Sequence, residues 1–469
     1  MKAERRAISP DYLRFGCLLG SKSHQPPPRG LANRRAGLRA GAIFLCLLIA
    51  VSSASRGESR DTLSLNNCVD RAEQCSLRLK EADDAMRKAK LAHAELTTSG
   101  LPSFVIGSGA SFAPASRHFG YDPAMSNEGQ LNGQVFVAQS LYDGGSRRLR
   151  SKQLGLEFER LAAARRALER DLRYNVEQGF IEGLRAQEEI KVQRENTQRM
   201  ADYFGIVSRL ASGGAASPTD VMKTQIELVR DSLSLQKAEE SATVAKYELA
   251  ELMGAPGDTS FELHGPLAGL IAFPPADTGG DGGADTASNL DTRISEITSR
   301  ASLIDIDLSK RERRPVIALF ADAGLLTSVS NLRIPRADRA SMIGYSAGVT
   351  LQMPLFGWGA NKMRTQQRQI VSDSLRLETR LLGRAAALEI RRTKVQLANL
   401  KKRLDSIRAN IQVAKDNYLL TKAKFSSGTS LSLEVVDAHQ LLSEAKLAEL
   451  EALAEEESLA STLERLTSR

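Results

Sequence analysis

An internal repeat constrains the fold of this chain more than any other feature of its sequence. Segments 134–145 and 350–359 each alternate apolar and polar residues and end in the pattern Leu-aromatic-X-X-Gly. Gly145 and Gly359, which end the two patterns, are 214 residues apart, and the same offset relates two glycine turns further along the chain. A register that holds without gaps through strands, helices and turns indicates duplication. The chain is therefore predicted to contain two copies of one structural unit.

The first unit, 55–254, is predicted to have the order helix–strand–strand–helix–turn–helix. Alternating apolar residues predict its strands over 103–112 and 131–139. Coiled-coil spacing of leucines predicts a long helix over 146–211, and a second long helix is expected over 218–253. Glycines, followed by a proline in the first turn of the second helix, mark the turn between the two helices.

The second unit, 291–469, repeats this order after a connecting segment. Its predicted strands and long helices are 316–326, 345–353, 360–425 and 433–466. The connecting segment, 255–290, is rich in proline and glycine and is predicted to be a flexible, solvated linker.

The chain begins with a basic leader. Residues 1–54 carry nine Lys or Arg against two acidic residues, and they account for nearly all of the net charge of +8. An apolar core from Ala42 to Val51 follows the arginines, so 1–54 is predicted to be an export signal. Because the remainder is nearly neutral and lacks a basic patch with interleaved aromatic residues, the sequence predicts no nucleic-acid partner.

Two cysteines lie on a helix that is predicted from Asn66 to Thr98. Cys68 and Cys75 are seven residues apart, which is about 10 Å along a helix and too far for a mutual disulfide. Two interpretations remain open: buried thiols, or a link to another segment or subunit.

The lengths of the four predicted strands match a tilted crossing of a bilayer. No later segment reaches 18 consecutive apolar residues, so no transmembrane helix is predicted, which leaves a soluble exported protein or a closed β-barrel. Four strands cannot close a barrel, so their edges must pair with other copies, giving eight strands in a dimer or twelve in a trimer. A helix of about 65 residues spans about 100 Å and would pack laterally into a tube.

Four motifs carry a family resemblance: Leu101-Pro102 before a strand, Gln139-Ser-Leu-Tyr-Asp-Gly-Gly145, Pro354-Leu-Phe-Gly-Trp-Gly359, and Gly428-Thr-Ser-Leu-Ser-Leu-Glu434-Val-Val-Asp437-Ala438. In their order and spacing the chain resembles the TolC family of outer-membrane efflux proteins over about residues 60–469. The resemblance implies a mainly α-helical fold with a membrane β-barrel. It implies a homotrimer with a twelve-stranded barrel in outer-membrane lipid and a helical coiled-coil tunnel in the periplasm. It also implies an export channel that docks to a periplasmic adaptor and an inner-membrane transporter.

Carried over by position, the resemblance places three groups of site residues on this chain. The tunnel tips, where an adaptor docks, correspond to Gly213, Gly214, Ser427, Gly428 and Thr429. The acidic ring at the periplasmic entrance corresponds to Glu434 and Asp437, with Asp220 as the first-unit equivalent of Glu434. The junctions between barrel and helices correspond to Leu141, Gly145, Leu355 and Gly359. Acidic residues at a helix N-terminus are also favoured by the helix macrodipole, so that plainer interpretation of the acidic residues stays open.

Other function classes find little support in the sequence. Its five histidines are scattered without metal-ligand spacing, and the sequence contains neither a phosphate loop nor a nucleophile elbow. The chain is therefore predicted not to be an enzyme and to need no cofactor. The main alternative to a channel is a periplasmic coiled-coil adaptor or scaffold without a barrel. The four strand-length segments favour the barrel.

Overall fold

The computed structural model describes residues 62–111, 130–271, 289–328 and 342–467. The predicted export signal, 1–54, lies outside these residues. In chain order the elements are β1 (Thr62–Leu63), α1 (Leu65–Cys75), α2 (Leu77–Thr98), β2 (Ser103–Ser111), β3 (Gln130–Tyr142), α3 (Ser146–Ser212), α4 (Pro218–Leu252), β4 (Glu262–Leu263), α5 (Leu290–Arg311), β5 (Val316–Ser328), β6 (Met342–Gln352), α6 (Ala360–Ser426) and α7 (Ser432–Thr467).

Two helices of 67 residues each, α3 and α6, are the longest elements. At 1.5 Å per residue each is about 100 Å long. Each begins directly after a glycine in the left-handed region, Gly145 with φ 80° and Gly359 with φ 81°. Because a Cβ strongly disfavours that conformation, the two glycines fix where strand ends and helix begins. None of the described helices contains a stretch apolar and long enough to cross a bilayer.

The same turn closes both long helices. Gly214 and Gly428 both have φ 75°. The Ala215 N–H donates to the Leu210 carbonyl at 2.8 Å, and the Thr429 N–H donates to the Lys424 carbonyl at 3.0 Å. These bonds satisfy carbonyls that a helix end would otherwise leave unpaired. The two halves therefore share backbone geometry at this turn, although their side chains differ.

Buried stripes on facing helices form the core. One cluster gathers Phe180 of α3 and Leu249 of α4 with residues of α1 and α7. A second cluster lies near the turns and joins Tyr203 of α3 to Val435 and Leu442 of α7. Packing of this kind holds α3, α4, α6 and α7 side by side along their lengths, because a single long helix has no core of its own.

The prediction of a flexible linker over 255–290 is wrong for its first half. Phe261 and Ile271 are buried among the helices, and β4 pairs in parallel with β1. The Glu457 carboxylate of α7 accepts hydrogen bonds from the Gly269 N–H at 2.6 Å and the Ile271 N–H at 2.9 Å. Apolar side chains between the glycines and prolines supply the burial that the compositional argument overlooked. Residues 272–288 lie outside the described residues.

The single helix predicted from Asn66 to Thr98 is also interrupted. It breaks at Ser76, whose hydroxyl accepts a hydrogen bond from the Leu79 N–H at 3.3 Å and caps α2. Both cysteines lie on α1 with free thiols, Cys68 buried and Cys75 exposed. Burial raises the pKa of Cys68 to about 11, which keeps that thiol protonated and unreactive.

We predict that Glu457→Gln weakens the fold by about 1–3 kcal/mol, because its amide nitrogen would face one of the two N–H donors. Burial raises the pKa of the Glu457 carboxyl above its ordinary value, and the N–H donors oppose this only in part. The folded state therefore binds this proton more tightly than the unfolded state does. The contribution of this group to stability is greatest at low pH and decreases as pH rises through the raised pKa.

Denaturant unfolding across the acidic-to-neutral range measures both effects. The matched control is Glu451→Gln, an exposed position of the same helix. Equal unfolding free energies for the two variants would contradict the structural role of Glu457.

Candidate functional site

A four-stranded antiparallel sheet in the order β2-β3-β5-β6 brings the two halves of the chain together. Strand β3 of the first half pairs with β5 of the second, with Gln134 opposite Gly324 and Phe136 opposite Asp322. Strands β2 and β6 form the edges, and each has a neighbour on one side only within the described chain. The sheet therefore presents two rows of backbone N–H and C=O groups that are free to pair with another strand.

One face of this sheet is mostly apolar. The register places apolar side chains of neighbouring strands side by side on this face, as with Leu319 and Val349 or Ala323 and Tyr345. Its apolar members with described side chains are Phe104, Ile106, Ala110, Val135, Val137, Ile317, Leu319, Ala321, Ala323, Leu325, Ile343, Tyr345, Ala347, Val349 and Leu351, and Ser108, Gly133 and Gln139 lie on the same face. Tyr345 is 90% exposed and Ile343 is 83% exposed. An exposed apolar surface of this extent indicates contact with another apolar phase.

The opposite face is polar and rich in glycine. Its polar and glycine members are Ser103, Gly107, Gly109, Asn132, Gln134, Ser140, Asp322, Gly324, Gly344, Ser346, Gly348, Thr350 and Gln352. The face also carries the apolar residues Val105, Phe136, Ala138, Val316, Ala318 and Phe320. A Cβ at Gly348 would lie 2.8 Å from the Phe320 ring, so this glycine lets the ring lie against the sheet. Alternation of a mostly apolar face with a mostly polar face is the pattern of a strand between lipid and water.

The two junctions between strands and long helices share their backbone but not their chemistry. In the first, the Asp143 carboxylate accepts hydrogen bonds from the Gly145 N–H at 3.0 Å and the Arg147 N–H at 2.6 Å. In the second, the Trp358 ring packs edge-to-face against Phe356 at 4.8 Å between centroids, and Trp358 itself has φ 49°. The predicted junction residues lie at these points: Leu141 and Leu355 are exposed, and Gly145 and Gly359 precede the helices.

The predicted tip residues form two neighbouring turns at one end of the helices. Gly213, Gly214, Ser427, Gly428 and Thr429 are all exposed. The rings of Tyr203 and Phe425, one from each half, lie 5.4 Å apart just behind these turns. The fold thus places both turns at the same end of the helical bundle, far from the sheet.

The three predicted entrance carboxylates have different surroundings. Asp220 is half-buried, and its carboxylate accepts the Ser217 N–H at 3.3 Å, which completes a capping box at the start of α4. Glu434 is exposed and accepts a hydrogen bond from the Ser430 hydroxyl. Asp437 is exposed one turn further along α7. Glu434 and Asp437 share a helix face because they are three residues apart.

A buried contact between a histidine and an aspartate behind the tips was not predicted from the sequence. The imidazole Nε2 of His439 on α7 lies 2.9 Å from Asp231 Oδ2 on α4, and the histidine is 1% exposed. His439 falls on the buried face of α7 with Val435 and Leu442, and this spacing is the sequence signal that marks it as a core residue. Its partner is 208 residues away and carries no local signal. Among the described residues, no group of three or more His, Cys, Asp or Glu could hold a metal ion.

We predict that Gly214→Ala and Gly428→Ala each weaken their turn by about 1–2 kcal/mol, because both glycines have positive φ. The matched control is Gly213→Ala, since Gly213 has φ −88°, which alanine adopts freely. Hydrogen exchange at the Ala215 and Thr429 amides measures local opening. Faster exchange only in the two positive-φ variants is expected, and equal exchange in all three would contradict the argument.

Comparison with known proteins places this arrangement in a family. The pattern that defines the family described as outer membrane efflux protein matches residues 70–255 and 286–468, which is more than half of the chain. The cobalt-zinc-cadmium resistance protein CzcC of Cupriavidus metallidurans is 23% identical over 333 residues, covering 70% of this chain and 74% of CzcC. The alkaline protease secretion protein AprF of Pseudomonas aeruginosa is 21% identical over 285 residues, covering 59% of this chain and 57% of AprF.

Solved structures show the same fold. The structure of CusC superimposes with a TM-score of 0.75 at 14% identity and covers 87% of this chain and 93% of CusC. The structure of VceC of Vibrio cholerae superimposes with a TM-score of 0.71 at 15% identity and covers 86% of this chain and 96% of VceC.

Proposed function

Because the chain belongs to the outer membrane efflux protein family, we propose that it forms a channel that exports small molecules or proteins from the periplasm to the exterior. The observation that carries this proposal is the two-faced sheet joined to helices about 100 Å long. A sheet with one apolar and one polar face can form the wall of a barrel between lipid and water, and the long helices can continue the channel below it.

The free edges of the sheet support an assembly of several copies. A barrel has no edges, and four strands are too few to close one. Three copies of the chain would supply twelve strands, with β6 of one copy beside β2 of the next. We therefore propose a homotrimer whose barrel lies in the outer membrane and whose helices form a tunnel in the periplasm.

Unpartnered apolar stripes on the helices support the same assembly. Exposed residues of α4, Met222, Ile226 and Leu233, recur at helical spacing. Exposed residues of α6, Leu381, Leu388 and Val395, recur every seven residues. Heptad spacing is the signature of a seam that packs against a neighbouring helix. In the proposed trimer these stripes are covered by adjacent copies.

The exposed tip turns are the proposed docking site of a periplasmic adaptor and an inner-membrane transporter. Small residues flank both tip glycines, so the adaptor would contact backbone and hydroxyl groups rather than large apolar side chains. The alternative, a periplasmic adaptor or scaffold without a barrel, leaves the apolar face of the sheet unexplained.

We propose that the inner-membrane transporter, and not this chain, selects the exported substrate. The two relatives carry names that state different roles, metal-ion resistance for CzcC and protease secretion for AprF. A duct shared by such systems need only admit what its transporter delivers. We propose that this chain is the exit duct of a tripartite efflux or type I secretion system.

The first test is the native mass and conductance of the processed protein after detergent extraction. A trimer that conducts in a planar bilayer supports the channel. A water-soluble species without conductance would contradict it and favour the adaptor.

Cysteine scanning tests the assignment of the two faces of the sheet. Ser346→Cys on the polar face should react with a membrane-impermeant, charged thiol reagent and lose conductance. Tyr345→Cys, the adjacent residue on the apolar face, is the matched control and should be shielded by lipid. Both changes are made in a Cys75→Ser background, because Cys75 is exposed. Reaction of the Tyr345→Cys variant but not of the Ser346→Cys variant would show that the two faces are assigned the wrong way round.

Charge removal at the tunnel entrance tests the proposed constriction. Glu434 and Asp437 from three copies would provide six carboxylates near the axis, which favours cations. The double variant Glu434→Gln/Asp437→Asn should lower cation selectivity, measured as the reversal potential across a salt gradient. The control Glu240→Gln/Glu248→Gln removes the same charge from exposed positions on α4, well away from the tip. Equal reversal potentials in the wild-type protein and both double variants would contradict the placement of Glu434 and Asp437 at the tunnel entrance.

Asp220 belongs to this proposal in a lesser role. It occupies the first-half position equivalent to Glu434, but its carboxylate already caps α4. We propose that it stabilises the tip and adds negative potential at the entrance without directly contacting cargo.

A further inference from the structure

A single charged side chain lies on the sheet. Across the described strands β2, β3, β5 and β6, Asp322 is the one residue with an ionisable acidic or basic side chain other than tyrosine. It occupies the middle of β5 and belongs to the polar face. A carboxylate at the centre of an otherwise uncharged sheet has no cation beside it on these strands, so no strand residue neutralises its charge.

Asp322 lies in an open concavity of the sheet, whose lining includes Leu325 and Tyr345 as well as polar side chains. The Ser346 hydroxyl on the adjacent strand donates a hydrogen bond to Asp322 Oδ1 and orients the carboxylate. Asn132, Gln134 and Ser346 line the same concavity, whose volume is about 410 Å³. A Cβ at Gly344, which also lines it, would contact nothing within 4 Å, so glycine leaves open space beside the carboxylate. Carboxylate, amide and hydroxyl oxygens are together the donors that hard cations prefer.

We propose that Asp322 provides a cation-binding site on the lumenal face of the barrel. This inference rests on the proposed channel. Three copies would place three carboxylates around one lumen, bounded by a wall whose outer side faces lipid. A low-dielectric wall concentrates the field of such charges in the water that it encloses. The ligand class is hydrated cations, including the cationic groups of exported molecules, and anions are disfavoured.

The site acts independently of the tunnel entrance. The helix α6, 67 residues and about 100 Å long, separates the sheet from the turn that precedes Glu434. The Debye length is about 10 Å at 0.1 M salt, so the two sets of carboxylates do not sense one another. Their effects on selectivity should therefore be additive.

Reversal potentials under a KCl gradient test the inference on the full-length trimer. Asp322→Asn, which keeps the size of the side chain, should lower the cation-to-anion permeability ratio by about two- to fivefold, the order expected for one charge interaction in water. Combined with Glu434→Gln/Asp437→Asn, its effect should add. Thr350→Ala changes a polar residue on the same face of β6 that does not line the concavity, so this control should leave the ratio close to the wild-type value.

A charge relocation separates charge from structure. Asp322→Asn/Ser346→Asp moves the carboxylate to the paired position on β6 and should restore the ratio. If Asp322→Asn does not assemble, Ser346→Asp in the wild-type background is measured instead, and a second carboxylate should raise the ratio. An unchanged ratio in a conducting Asp322→Asn channel, or in a conducting Ser346→Asp channel where that variant is used, would overturn the inference. Absence of conductance in the wild-type protein would instead overturn the proposed channel.

Discussion

The unsatisfied backbone edges of the four-stranded sheet are the constraint on which the rest of the structure depends. Its extensive contacts are among its own strands, so neither face is covered by the helices of the same chain. An apolar face, a polar face and two free edges cannot all be satisfied within one copy. In the proposed trimer, repetition of the chain around an axis would meet all three requirements at once: it would close the edges, turn one face to lipid and enclose the other. The exposed heptad stripe of α6 extends that requirement to the helices.

The two halves of the chain share backbone conformation at equivalent positions but differ in the side chains around them. Left-handed glycines stand at equivalent points, Gly145 with Gly359 and Gly214 with Gly428. Side chains around these points differ: an aspartate holds the first junction, and a pair of aromatic rings occupies the second. A duplicated frame of this kind needs the glycines for its geometry, which leaves the neighbouring positions free to take different roles.

Local signals predicted the local elements well. The long helices begin at Ser146 and Ala360, where a glycine pattern ended each strand. Strand β3 extends to Tyr142, beyond the predicted 139, because ladder pairing with β5 continues through Ser140 to Tyr142. Features that depend on distant partners were not predicted. The Pro/Gly-rich composition of 255–290 predicted a solvated segment, although Phe261 is buried. No sequence feature near His439 indicates that Asp231 is its partner. The position of Asp322 on the polar face of the sheet could be assigned only from the strand register.

The hydrogen bonds of Glu457 also determine when the fold can be completed. The segment that leaves the first half of the chain is held by a carboxylate of the last helix, some 190 residues downstream. During synthesis from the N-terminus, Gly269 and Ile271 emerge long before their acceptor exists. The Gly269 and Ile271 N–H groups consequently gain this carboxylate acceptor only after the final helix has been synthesised.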